Sequence, residues 1–114
     1  MPDKLVVAVT TCANTDEAER LARLLVERRL AACVAIGQAI RSIYPWDGRI
    51  NTDEEVPLTI KTAVERIADL KRAIVEHHPY DVPEFLVMGV DEGLESYMDW
   101  VRDWVQVRPR NDME

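Results

Sequence analysis

Apolar positions along the chain follow two rhythms, one of strands and one of helices. Leu5 to Val9 is a continuous apolar run ahead of Thr10, Thr11 and Cys12, which predicts a strand covered on both faces. Asn14 and Glu17 form a capping-box-like pair, and Ala18, Leu21, Ala22 and Leu25 then recur at helical spacing. Asp16, Glu17 and Glu19 at the start of that helix, with Arg28 and Arg29 at its end, suit the helix dipole. Ala32 to Trp46 predicts a second strand whose phase slips at Gly37 and Gln38, the mark of a bulge. Asp47-Gly48 predicts a tight hairpin turn, because a type I′ turn needs positive φ at both central positions. In the third strand, Arg49 to Lys61, Val56, Leu58 and Ile60 alternate with Pro57, Thr59 and Lys61. Pro57 has no amide proton for a ladder, so its nitrogen must face an edge or a break.

Thr62 and Glu65 read as a second capping box, opening a helix that runs to His77 or His78 with Val64, Ile67, Leu70 and Ile74 facing inward. Pro79 ends it. Phe85 to Met88 predicts a fourth, wholly apolar strand, and Gly93 a turn. Leu94, Tyr97, Met98, Val101, Trp104 and Val105 then make one side of an amphipathic last helix. Residues 1–106 read as one domain and residues 107–114 as a flexible tail. The order βαββαβ plus a helix predicts an α+β, ferredoxin-like sandwich. Both main helices should lie on one face of an antiparallel sheet with strand order fourth-first-third-second.

Two features exceed what a monomer accommodates. The first and fourth strands are apolar on both faces, whereas the two main helices cover one. The hairpin between strands two and three is also extended: arms of thirteen or more residues at ~3.3 Å each reach roughly 40 Å, against a radius of gyration of ~13 Å for a compact 100-residue domain. Sister copies of the chain are the simple cover. The other reading folds the hairpin back at its bulge.

Composition narrows the partners. The 114 residues carry a formal charge of −7 and a pI near 4.8, with no basic footprint for nucleic acid or anionic membrane. No stretch approaches the ~20 apolar residues of a membrane span, and no signal-peptide pattern is seen, so a cytoplasmic protein is expected. A reducing compartment would keep Cys12 and Cys33 as thiols.

Several segments resemble one known family. Leu30-Ala31-Ala32-Cys33-Val34, Ser42 to Ile50, Ile60-Lys61-Thr62 and His78 to Glu84 are similar to the signature segments of the CutA divalent-cation tolerance proteins, over about Leu5 to Trp104. The resemblance implies a homotrimer of ferredoxin-like subunits, similar to the PII signalling proteins, with a role in the response to metal ions and copper as the bound ion. Ala35, Pro45 and Pro57 depart from the family pattern, which bears on hairpin geometry.

The resemblance places a copper site at Cys12, His77 and His78. Topology brings these residues to one end of the subunit, where thiolate suits Cu(I) and imidazole suits Cu or Zn. The residues also admit plain structural roles. Adjacent histidines on a helix point ~100° apart, a histidine at a helix C-terminus suits the dipole, and Cys12 reads equally as a small buried hydrophobe. Cys33, at the opposite end, reads as structural. Lys61, Tyr80 and Glu84 would gather in an intersubunit cleft around a small anion or metabolite, or make an intersubunit ion pair. Trp46 at the hairpin tip reads as packing or as a lid, and Trp100 and Trp104 as packing. Glu54-Glu55 reads as a solvated surface pair. No serine nucleophile elbow, phosphate loop or zinc-protease motif is present, so the expectation is a non-enzymatic, trimeric, copper-binding tolerance protein. The alternative is a PII-like signalling protein with a metabolite in its intersubunit cleft.

Overall fold

The computed structural model describes residues 4–106; the expected tail, residues 107–114, lies outside them. Five strands and three helices follow the order β1 (Leu5–Cys12), α1 (Thr15–Glu27), β2 (Cys33–Ile36), β3 (Ile40–Trp46), β4 (Arg49–Ala63), α2 (Ile67–His77), β5 (Leu86–Gly89) and α3 (Glu95–Val105). The sheet runs β2-β4-β1-β5, with β3 also paired to β4. Since β2 and β3 are the two halves of the expected second strand, this is the predicted order. The neighbouring strands pair antiparallel throughout.

Local chemistry sets the first helix. Asn14 accepts the Glu17 amide at 2.9 Å, and the face Ala18, Leu21, Ala22 and Leu25 is buried. At the other end Arg29 takes φ 59°. The Leu30 amide reaches back to the Leu25 carbonyl at 2.9 Å and the Arg29 amide to Val26 at 3.0 Å, a Schellman closure with arginine where glycine is usual. Arg29 is held there by stacking on Trp104, 3.9 Å from the ring centroid. The Trp104 indole in turn donates to the Val26 carbonyl at 2.9 Å, so α3 is tied to the end of α1.

The expected bulge is a full interruption. Gly37 donates to the Pro57 carbonyl at 2.9 Å, so the Pro57 nitrogen, on the same side of its strand, faces the break between β2 and β3 where no partner is needed. A Cβ on Gly37 would lie 2.9 Å from Pro57 Cγ. Gly37→Ala is therefore expected to destabilise by about 1–2 kcal/mol through overpacking against a rigid ring, measurable by guanidinium unfolding; an unchanged midpoint would rule out this contact. Beyond the break, β3 pairs with β4 alone, which leaves Pro45 on an edge strand that tolerates it. Asp47 and Gly48 turn the hairpin with φ 57° and 76°, as the turn type requires.

The second capping box does not form. Thr62 stays in β4, opposite Val6, fully buried with an unpartnered hydroxyl. The helical segment starts as a 3₁₀ turn at Val64–Arg66 with no side-chain cap. Ladder bonds to β1 outcompete the cap, and the Val64 amide is taken by the Lys4 carbonyl. Val64 is 38% exposed rather than inward, while Leu70 and Ile74 are buried as expected.

α1 and α2 pack on one sheet face, over Ala8, Cys12, Val56, Leu58 and Ile60. α3 covers one end of the other face, where Val101 and Val105 meet Leu5 and Ala63. Leu94 and Tyr97, expected on its inner side, are exposed. The rest of that second face is bare: Leu86 pairs with Val9 and Met88 with Val7, and Leu86 and Met88 are 60% and 49% exposed. The β3-β4 hairpin projects from the core, giving a molecule 54 Å long.

Candidate functional site

Two concavities flank the end of β1. The larger, of about 470 Å³, is walled by Tyr44 and Trp46 of β3, Asp53 and Glu55 of β4, and the loop from Tyr80 to Glu84. β1 contributes Thr11. The Tyr44 hydroxyl donates to Asp53, which raises its pKa. Burial, followed by the charge of Glu55 and a hydrogen bond to it, pushes the Tyr80 phenol up to about 12.

His78 holds the loop that forms one wall. Its Nε2 lies 2.6 Å from the Thr11 carbonyl, and its Nδ1 accepts the Tyr80 amide at 3.2 Å. An amide can only donate, so Nδ1 is the bare nitrogen and Nε2 carries the proton. Thr11 Oγ1 donates to Glu55 at 3.1 Å, and Glu55 meets the Tyr80 phenol. Thr11, Glu55, Tyr80 and His78 therefore close a ring of hydrogen bonds that pins residues 78–80 to β1 and β4.

The smaller cavity, about 70 Å³, lies on the α1 side and is lined by Cys12, Glu17, Arg20 and His77 among others. Cys12 is buried. Burial first, and the charge of Glu17 second, push its thiol from an ordinary value of 9.0 to about 11. Glu17 Oε1 is a buried oxygen without a hydrogen-bond partner. His77 Nε2 faces Arg28 at 3.4 Å. Among the described residues, no three His, Cys, Asp or Glu side chains stand close enough to hold a metal ion together. Cys12 and His77 suit a soft ion that needs few ligands. His78 does not, since both its nitrogens are engaged.

The family profile of the CutA1 divalent ion tolerance proteins matches residues 6–104. The chain belongs to that family. Protein CutA of Homo sapiens is 40% identical over 102 residues, covering 90% of this chain and 57% of the human protein; the chain thus spans little more than half of that relative. The divalent-cation tolerance protein CutA of Thermus thermophilus is 39% identical over 97 residues, covering 85% of this chain and 94% of the relative. Among solved structures, CutA1 of the psychrotrophic bacterium Shewanella sp. SIB1 superposes with a TM-score of 0.87 at 40% identity, covering 93% of this chain and 98% of that one. CutA1 of Oryza sativa gives 0.88 at 33% identity, covering 90% and 94%. The ferredoxin-like α+β fold is thereby shared with these CutA1 structures.

In this CutA1 fold the residues singled out from the sequence divide differently from expectation. Cys12 and His77 share the small cavity, while Tyr80, Glu84 and Trp46 line the large groove. Lys61 does not join them within the chain. It sits opposite Val7 and Cys33, with Nζ 4.0 Å from Cys33 Sγ, six positions along β4 from Glu55. Cys33 is opposite Lys61, five residues along β1 from Cys12, about 17 Å at ~3.3 Å per residue; both cysteines are free. Glu55 is half-buried and bonded, not a solvated surface group, whereas Glu54 is exposed. Thr11, Tyr44 and Asp53 went unnoticed in the sequence. Tyr44 and Asp53 alternate along strands at the positions that face Trp46 and Glu55, so period-two counting from those residues would have found them.

Proposed function

We propose that this protein serves tolerance to divalent cations as a non-enzymatic homotrimer in the cytoplasm, binding copper or a related metal ion at Cys12 and His77. The observation that supports the site is the small cavity shared by Cys12, His77 and the unpartnered Glu17 oxygen. Family membership over residues 6–104 supports the tolerance role. The bare apolar sheet face carrying Leu86 and Met88 supports the trimer. No helix among the described residues is long and apolar enough to cross a membrane. Thiolate and imidazole both favour Cu(I) over hard cations. In this reading His78 orients the loop beside the site and is not a ligand.

Calorimetric titration with Cu(I) and Zn(II), on wild type and a Cys12→Ser/His77→Ala variant, tests it. The variant should lose more than about tenfold in affinity; equal affinity would refute the assignment. A metal must displace the Cys12 proton, and that thiol titrates near 11. Below that value binding releases one proton, so affinity should rise about tenfold per pH unit between pH 7 and pH 8.

A second reading, a PII-like signalling protein holding a small metabolite, is favoured by the groove of about 470 Å³. That volume lies within the ~300–1,000 Å³ of small-molecule sites.

A further inference from the structure

We propose that the groove between the β3-β4 hairpin and the Tyr80–Glu84 loop binds a small organic cation, a primary amine or a quaternary ammonium compound. The inference rests on the second reading above and names its ligand class.

Three observations point there. The first is charge. Asp53, Glu55, Asp81 and Glu84 line the groove, and among the described residues no Lys, Arg or His does. Lys61, the one base the sequence offered for an anion, pairs with Val7 at the far end of β1. An anion would therefore enter a field of its own sign, and a cation would be drawn in.

The second is the aromatic wall. Tyr44, Trp46 and Tyr80 line the same cavity as the carboxylates. Aromatic faces attract alkylammonium groups through the ring quadrupole and cover their methylene or methyl surface. A hydrated inorganic ion gains little from such walls.

The third is the state of the acids. Asp53 accepts from Tyr44, and Glu55 accepts from Thr11 and meets Tyr80. These carboxylates are spread and partly satisfied by hydroxyls, not converged as bare ligands. No trio of His, Cys, Asp or Glu among the described residues stands close enough to take a metal ion. The cavity, at about 470 Å³, has the size of a small-molecule site. Charge, walls and volume together fit an organic cation and fit neither an anion nor a desolvated metal ion.

The test is calorimetric titration at constant ionic strength with choline, putrescine and succinate, on wild type, Trp46→Ala and Asp53→Asn. Trp46 and Asp53 are exposed, and far-UV circular dichroism checks that both variants fold. Choline or putrescine should bind wild type, each substitution should weaken that binding about tenfold, and succinate should give no heat. Equal binding to the variants would overturn the site, since a chain of charge −7 attracts cations diffusely. Binding of succinate without either cation would overturn the ligand class and leave the small-metabolite reading standing. Binding of none of the three at millimolar concentration would remove both.

Discussion

His78→Ala is expected to lower stability by about 2–4 kcal/mol in guanidinium unfolding at fixed chain concentration, while His77→Ala changes it by less than about 1 kcal/mol. The two neighbours differ because of what they touch. His78 is buried at 6% exposure and bridges the Thr11 carbonyl to the Tyr80 amide. Removing the ring strands an acceptor and a donor, each worth ~1–3 kcal/mol when left unpaired in the interior, and opens space where the ring stood. His77 contacts Arg28 and Glu76 near the surface, where such pairs contribute little. The metal readout should run the other way. His78→Ala should keep the metal stoichiometry of wild type, and His77→Ala should lose affinity. If the two variants unfold at the same denaturant concentration, the hydrogen-bonded ring is not what holds the 78–84 loop.

Leu86→Glu/Met88→Glu is expected to convert a species of about 39 kDa, three chains of 13.1 kDa, into one of chain mass, read by light scattering at micromolar concentration. Leu86 and Met88 lie beside Val9 and Val7 on the sheet face that α1 and α2 do not cover. Fully burying an aliphatic side chain of this size contributes roughly 1.5–3 kcal/mol, and three copies would each bury theirs. A carboxylate at the same position would be removed from water without a partner, which costs far more than the lost burial. The hairpin adds to the demand for cover, since Ile43 and Ile50 near its tip are 71% and 72% exposed. A folded wild-type chain that scatters as 13 kDa would remove the trimer, and with it any cleft between subunits.

The elements most legible in the sequence are those whose causes lie within a few residues. The α1 cap, its buried face and its extent follow from Asn14, Glu17 and four apolar positions. The hairpin turn follows from Asp47-Gly48, since few residues accept positive φ. The break opposite Pro57 was visible because proline cannot join a ladder and Gly37 marks the slip.

The candidate site was less legible, because its parts are far apart in the chain. Residues 11, 55 and 80 meet only once β4 is in register with β1 and the loop after α2 has folded back. Glu55 looked like solvation because sequence counts charge but not the hydroxyls a register brings to it. Thr62 looked like a cap because a cap needs three residues, whereas the ladder that claimed it needs Val6, 56 positions away.

Local rules therefore determined this protein's first helix, turn, strand break and net acidity, as each depends on near neighbours or on composition. The pairing of β1 with β4 set Thr11 beside Glu55 and left Lys61 at the far end of β1, so that among the described residues the groove carries no base. Those outcomes depend on desolvation and on distance through space, and neither exists until the sheet has closed.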